Sequence, residues 1–158
     1  MGGFLLVLMF VSLFASMECD VMPFTACESG NPPITVSIDP CGESTYIKDI
    51  GCIFKQGTKV KVQAPFIAPF TSGSLETIAS ATFRGHEIPF PDSGSNACSY
   101  IVPSCPIMEG RMNILNYNFE ILKYYPTGEM DVKFMIRDRR TKKVAACAKT
   151  TVIIVESN

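Results

Sequence analysis

The chain has 158 residues and a net charge of −1, and its composition is 47% hydrophobic but only 18% charged. This length fits one domain, since domains commonly hold about 100 to 200 residues. The near-neutral balance gives no electrostatic reason to expect nucleic acid or an anionic membrane surface as a partner.

An apolar run opens the chain. Residues 4–14 read FLLVLMFVSLF and are followed by the small residues Ala15 and Ser16. The run is shorter than the roughly 20 residues that span a bilayer and has the length of the apolar region of a secretion signal. No Lys or Arg precedes it, and a buried strand or a short anchor are the alternatives. We expect residues 1–19 to be a signal peptide, cleaved between Ala15 and Cys19, and residues 20–158 to form the mature domain.

Alternating apolar and polar residues predict β-strands from residue 34 onward. The clearest alternation covers residues 59–66, 113–122 and 131–138, and a β-branched run at 148–156 predicts a closing strand. Weaker strands are predicted at 34–40 and 76–85. The side chains expected to face inward are Val60, Val62, Ala64, Phe66, Leu115, Tyr117, Phe119, Ile121, Val132, Phe134 and Ile136. About seven short strands separated by turn sequences indicate an all-β, immunoglobulin-like antiparallel sandwich, because an open sheet would leave these apolar faces in water.

Two proline-containing segments carry further apolar side chains. Residues 87–91 read EIPFP and place Ile88 and Phe90 beside prolines, which favours a position at a sheet edge. Residues 121–126 read ILKYYP and end at Tyr125 and Pro126. A core filled by its own side chains and a core opened around a ligand would produce the same pattern.

The chain contains seven cysteines, and a secreted domain is expected to pair six of them. Six cysteines allow 15 pairings. Short spacing favours Cys41 with Cys52 and Cys98 with Cys105, which leaves Cys27 for Cys147. Cys19 is the odd one and is expected to be lost with the signal or to remain near the terminus.

No catalytic or metal-binding constellation is apparent, so we expect neither enzymatic activity nor a cofactor or metal. His86 is the single histidine, no nucleophile motif lies near it, and an exposed or hydrogen-bonded turn residue is the simpler interpretation. A zinc site would need more ligands than one histidine offers. The acidic residues fall on predicted outer faces or in turns, where solvation explains them. The basic run at 137–143 lies between two predicted strands and indicates a solvated hairpin.

Taken together, the cysteine series with EIPFP before Cys98, Pro106 directly after Cys105 and the YYP segment resembles the ML (MD-2-related lipid-recognition) family, and within it the Niemann–Pick type C2 branch and the mite group 2 allergens. The resemblance runs from about Phe24 to Val155. It implies a sandwich whose sheets enclose an apolar lipid cavity, and the same three disulfides that the spacing favours.

The resemblance also implies where a lipid enters. In the sterol-binding branch the entrance is lined by residues that correspond here to Phe90, Ile121 and Tyr125, with Pro126 beside them. Alternation adds Val60, Val62, Phe66, Ile88, Phe119, Val132 and Phe134 as candidate lipid contacts, with Ile136 among the inward residues.

A sterol, a fatty acid or a similar lipid is therefore the expected partner of a secreted, monomeric carrier, with the lysosome as a second destination. Delivery to a membrane or to a Niemann–Pick type C1-like transporter is in doubt, because Ser80–Phe83 stands where that branch has an apolar patch. A family tryptophan is replaced by Ala148, which predicts a reshaped cavity. The alternatives are an immunoglobulin-like recognition module of innate immunity with a solid core, and a semiochemical carrier.

Overall fold

The computed structural model describes residues 20–42 and 50–157, and these form a sandwich of two β-sheets. The predicted signal peptide and Cys19 lie outside the described residues. In the described part of the chain, no helix has the length and apolar character needed to cross a membrane.

The first sheet has five strands and the second has six. In spatial order, the first sheet contains β1 (Asp20–Val21), β3 (Ser37–Asp39), β5 (Lys59–Ile67), β9 (Met112–Glu120) and β8 (Ile101–Val102). The second contains β2 (Thr25–Ala26), β11 (Val144–Val155), β10 (Gly128–Asp138), β6 (Leu75–Phe83) and β7 (His86–Pro89), with β4 (Ile50–Lys55) also on β11. A 3₁₀ turn at Ala97–Tyr100 precedes β8.

The long strands form where alternation predicts them. β5 pairs with β9 over nine residues, so that Val62 lies opposite Tyr117. β10 pairs with both β6 and β11, so that Val132 lies between Ala81 and Thr150. Period-two alternation turns the apolar set of each strand toward the other sheet. The all-β sandwich is confirmed.

Two details differ from a sandwich of about seven antiparallel strands. The described residues form eleven strands, several of only two or three residues. In addition, β4 pairs with β11 in parallel, with Ile53 opposite Ile153 and Phe54 opposite Ile154. Alternation gave no indication of β4, because a parallel partner about 100 residues away leaves no local pattern.

The proline segment forms an edge strand, as predicted. β7 pairs only with β6 and is exposed along its length. The backbone N–H of Phe90 donates to the carbonyl of Ala79 at 2.9 Å, so every second residue turns its backbone toward β6. Pro89, which has no N–H, falls at an alternate position facing outward. An edge without that donor is a poor template for another strand.

Three disulfides join Cys27 to Cys147, Cys41 to Cys52 and Cys98 to Cys105, which confirms the predicted pairing. The first links residues 120 apart and holds β11 against the segment after β2. In a chain-entropy treatment a loop of that length stabilises the fold by about 5 kcal/mol, and the two short loops by about 2.5–3 kcal/mol each.

The sandwich is solid at one end, which we call the closed end. It contains five buried residues that are 0–3% exposed: Ala68, Leu75, Ala97, Ile101 and Ile107. A pair of backbone hydrogen bonds between Ser72 and Ile107, at 3.0 and 2.9 Å, joins the two segments that cover it. The Cys98–Cys105 disulfide lies in the same covering segment.

Candidate functional site

A cavity of about 110 Å³ lies between the two sheets, away from the closed end. Its wall is almost wholly apolar. Side chains from both sheets and from the segments that join them contribute: Met22, Phe24, Pro33, Val36, Ile38, Phe54, Val62, Ala64, Phe66, Ala81, Ile88, Phe90, Leu115, Tyr117, Phe119, Ile121, Tyr125, Pro126, Met130, Val132, Phe134, Ile136, Ala146, Cys147, Ala148, Thr150, Val152 and Ile154. One water needs about 10–15 Å³, so this volume exceeds a packing defect.

Strand alternation explains which side chains reach the cavity. Val62 and Phe66 on β5, Phe119 on β9, and Val132 and Phe134 on β10 all point from their sheets into the space between them. Although they are interior residues, Val62, Phe119, Val132 and Phe134 are only partly buried, because each presents a face to the cavity.

Aromatic rings line a continuous path from the surface into the interior. Tyr124 is 75% exposed and meets Tyr125 edge to face, with ring centroids 5.3 Å apart. The ring of Phe90 lies nearly parallel to that of Tyr125, with centroids 6.3 Å apart. On its other side, the ring of Phe90 is 6.1 Å from that of Phe119. Tyr117 follows, 6.0 Å from Phe119 and 5.1 Å from Phe134. We call the surface end of this path, at Ile88, Phe90, Tyr125 and Pro126, the mouth.

Backbone contacts fix the two aromatic residues of the mouth. The N–H of Tyr125 donates to the carbonyl of Leu122 at 3.0 Å, and its own carbonyl accepts from the side-chain amide of Gln56 at 2.8 Å. Phe90 ends the edge strand through its bond to Ala79. The prolines at 89 and 91 restrict the backbone on both sides of Phe90.

One charged side chain touches this aromatic path. The hydroxyl of Tyr117 donates to Oδ2 of Asp92 at 3.3 Å, although Tyr117 is buried and Asp92 is exposed. Burial raises the pKa of Tyr117 well above its ordinary value, and the carboxylate of Asp92 adds to the shift. The pKa of Tyr125 is also raised, mainly by burial and in part by Tyr124 and Asp92. Both hydroxyls are therefore protonated donors at neutral pH.

Of the eleven candidate lipid contacts, ten line the cavity: Phe90, Ile121, Tyr125, Pro126, Val62, Phe66, Ile88, Phe119, Val132 and Phe134. Ile88 does so from the edge strand and remains 37% exposed. Val60 is the exception. It is 1% exposed and packs into the core without reaching the cavity wall, because alternation gives the face of a residue but not its depth.

Several lining residues were not among the sequence candidates. Met22 and Phe24 precede the first predicted strand, and no pattern marked them. Val152 and Ile154 follow the alternation of β11 and could have been predicted by applying it along that strand. Ala148, which the resemblance associated with the shape of the cavity, lines it on the same face.

The outer face of the second sheet is polar, and Glu76 and Glu87 form ion pairs there with basic side chains. The expectation that solvation explains the acidic residues is wrong for Glu76, which is 8% exposed and binds Arg137 at 2.7 Å and Lys142 at 2.9 Å. The basic run forms the β10–β11 hairpin, as predicted. Within residues 20–42 and 50–157, no three or more His, Cys, Asp or Glu side chains cluster as metal ligands would.

Comparison with known proteins gives the family. The family model of the ML domain matches residues 21–154, so the chain belongs to the ML domain family, a family of lipid-recognition proteins. An MD-2-related lipid-recognition protein of Manduca sexta is 27% identical over 136 residues, which cover 83% of each chain. The NPC intracellular cholesterol transporter 2 homolog a of Drosophila melanogaster is 25% identical over 119 residues, which cover 75% of this chain and 78% of the relative.

A solved structure supports the fold independently. The crystal structure of a Niemann-Pick type C2 protein from Japanese carpenter ant superposes with a TM-score of 0.70 at 18% identity. The match covers 84% of this chain and 99% of the ant protein. At this identity the similarity shows the fold alone.

Proposed function

We propose that this protein is a secreted, non-catalytic carrier that binds one lipid molecule in the cavity between its two sheets. The observation that carries the proposal is the cavity wall, which is apolar from the mouth to the interior and contains no charged side chain. Such a wall offers nothing to a polar substrate and matches an acyl chain or a sterol ring system.

Apolar transfer supplies enough free energy for useful affinity. Each buried methylene contributes about 0.8 kcal/mol, so 16 methylenes contribute about 13 kcal/mol before losses. Association and ordering then cost several kcal/mol or more. A micromolar or tighter dissociation constant follows. Apolar contacts have little direction, so selectivity among chains of similar length is expected to be weak.

The size of the cavity implies that the sheets move apart when a lipid binds. Its volume of about 110 Å³ is below the ~300–1,000 Å³ of pockets that enclose drug-sized ligands. A complete sterol or acyl chain therefore needs more space or leaves part of its length in the mouth. The mouth is the place where widening is easiest, because β7 is bonded to the sandwich through β6 alone.

Sterols and fatty acids are the cargo classes we propose. The Drosophila relative is named as a cholesterol transporter and the Manduca relative as a lipid-recognition protein, and both names support a lipid as the cargo. Secretion through cleavage of residues 1–19 belongs to the same proposal. The intact mass of the protein collected from a secreting cell would give the cleavage site, and a mass that retains residues 1–19 would contradict it.

A recognition module is the second candidate function, and an apolar patch on the outside of the first sheet favours it. The patch contains Ile34, Ile67, Val102, Met112 and Ile114, which are 37–57% exposed. Ile67 lies opposite Met112, and Ile114 lies opposite Val102, so the side chains are neighbours across strands. Contiguous apolar surface of this kind marks many protein-binding sites.

Native mass spectrometry followed by organic extraction tests lipid carriage directly. We expect a mass increment that disappears on extraction and a lipid in the extract. The delipidated protein is then titrated with a fluorescent sterol and with a fluorescent fatty acid. Phe90→Ala and Tyr125→Ala are expected to weaken binding about tenfold, since each removes a ring from the mouth. Met112→Ala, on the outer patch, is the matched control.

The two functions predict opposite outcomes. If no lipid is extracted and neither probe binds, the lipid-carrier function is contradicted and the recognition-module function is supported. If probes bind but only Met112→Ala weakens them, the lipid lies on the outer patch and not in the cavity.

A further inference from the structure

A polar contact lies beside the apolar cavity, where the hydroxyl of Tyr117 donates to the carboxylate of Asp92. A third hydroxyl of the wall, that of Thr150, donates to the carbonyl of Pro23 at 2.8 Å and is thereby occupied. Among the described residues, the hydroxyl of Tyr125 makes no hydrogen bond and is free for a ligand. The polar end of a bound lipid therefore has its partners at Tyr117, Asp92 and Tyr125 and not deeper in the cavity.

The carboxylate of Asp92 is held in this position by its own turn. Residues 90–95 fold back on β6, where the hydroxyl of Thr77 donates to the carbonyl of Asp92 at 3.3 Å. The N–H of Gly94 also donates to the carbonyl of Thr77, at 2.6 Å, and the N–H of Ala79 donates to the hydroxyl of Ser93 at 3.3 Å. Contacts at three points fix the turn, so the carboxylate stays over the buried Tyr117 hydroxyl.

The charge of Asp92 is not neutralised locally. The ion pairs formed within residues 20–42 and 50–157 join Glu76 and Glu87 to basic partners, and none of them involves Asp92. The guanidinium of Arg139 contacts the same turn, but through the carbonyl of Gly94 at 3.2 Å. Asp92 does not itself line the cavity, but its carboxylate accepts from the hydroxyl of Tyr117, which does. A lipid head that reaches this hydroxyl would therefore meet a negative carboxylate.

From this arrangement we infer that Asp92 is a specificity-determining residue that ranks the two proposed cargo classes: it favours lipids with a neutral hydroxyl, such as sterols, over fatty acids, which end in a carboxylate. This inference rests on the proposed binding of a lipid in the cavity, and it adds which class of head group that lipid carries. A hydroxyl both donates and accepts, so it can donate to Asp92 and accept from Tyr125. A carboxylate only accepts, so it cannot donate to Asp92, and two negative charges at contact distance repel even where solvent screens them in part.

The test compares two probes with the same chain, cis-parinaric acid and the corresponding alcohol, at neutral pH. A preference of the native protein for the alcohol is not diagnostic alone, because any apolar site resists a carboxylate. The diagnostic quantity is the ratio of the two dissociation constants in Asp92→Asn, which keeps size and hydrogen bonding but removes the charge. We expect the ratio to shift toward the acid by about tenfold, chiefly through tighter binding of the acid.

Asp131→Asn is the matched control. Asp131 is also exposed and also accepts one side-chain hydroxyl, from Thr151 at 2.7 Å, but it lies on the outer face of the second sheet. This variant removes the same charge from the protein and is expected to leave the ratio unchanged. Asp92→Ser provides a second uncharged variant in case the amide perturbs the turn.

The outcomes separate the two proposals. If neither probe binds the native protein, lipid carriage itself is contradicted. If both probes bind but the ratio in Asp92→Asn and Asp92→Ser equals that of the native protein, the role of Asp92 is wrong and carriage stands. An equal shift in Asp131→Asn would mean that net charge, and not the position of Asp92, sets the ratio.

Discussion

The closed end and the cavity end of the sandwich share strands and residue types but differ in how their side chains pack. At the closed end, Leu75, Ile101 and Ile107 are 0–3% exposed. At the cavity end, Val62, Phe119 and Phe134 also point inward, yet each keeps a face without a packing partner. The closed end is therefore packed solid, whereas the other end leaves apolar side chains available to a ligand.

Truncation at the closed end is the largest effect we expect. Leu75→Ala removes a fully buried side chain and should lower the free energy of unfolding by about 3 kcal/mol, within the 2–5 kcal/mol range of such changes. Urea denaturation followed by circular dichroism measures it. Lipid affinity should remain within a factor of about two, since Leu75 does not line the cavity. Lost binding in a variant that still folds would contradict the division into two ends.

A matched pair on one strand makes the comparison sharper. Val60 is 1% exposed and lies outside the cavity wall, whereas Val62, two residues on, is partly buried and lines it. Val60→Ala should cost about 2 kcal/mol of unfolding free energy and Val62→Ala about half of that, because Val62 forfeits fewer contacts. Conversely, only Val62→Ala should alter lipid affinity. Equal losses of stability from both would mean that Val62 is packed as tightly as Val60.

This pair also shows what the sequence can predict. The inward face of β5, β9 and β10 follows from a period of two, so the fold class and cavity residues such as Val62 and Phe134 were predictable from alternation. Phe90, Tyr125 and Pro126 were instead expected from the family resemblance. The depth of Val60 was not, because it depends on how two sheets approach. The Tyr117–Asp92 contact joins residues 25 apart and exists because residues 90–95 fold back on Thr77. The parallel β4–β11 pairing likewise arises from long-range contact.

Filling the cavity tests binding without removing a contact. Ala148 lines the cavity opposite Phe134 across the β10–β11 pair, and its replacement by Phe would occupy space that a lipid needs. Ala148→Phe should weaken sterol and fatty-acid probes at least tenfold while leaving the free energy of unfolding within about 1 kcal/mol. The control is Ile67→Phe on the outer patch, which adds a ring outside the cavity. Ala145→Phe would not serve, because Ala145 is buried. Undiminished probe binding in Ala148→Phe would move the ligand out of the cavity.

The smallest effect concerns the polar outer face of the second sheet, where Glu76 follows the closed-end residue Leu75 in β6. Hydrogen bonding from Lys142, and then from Arg137, lowers the pKa of Glu76 despite its burial. Because the pKa of Glu76 is lower in the folded than in the unfolded state, ionised Glu76 stabilises the fold. This contribution to the free energy of unfolding is complete above the ordinary pKa of 4.5 and is lost as the pH falls through the folded-state pKa. Glu76→Gln should cost about 1 kcal/mol at pH 7 and less at pH 3, by urea denaturation. A difference that does not shrink at pH 3 would contradict the assignment to ionised Glu76.

Photoaffinity labelling tests the central claim most directly. The delipidated protein is loaded with a diazirine-bearing sterol or fatty alcohol, irradiated, and digested, and the labelled residues are read by mass spectrometry. Lipid carriage between the sheets predicts labels on cavity residues such as Val62, Phe119 and Phe134, suppressed by unlabelled lipid and by Ala148→Phe. Labels confined to Ile67, Met112 and Ile114 on the outer face, unaffected by Ala148→Phe, would contradict it.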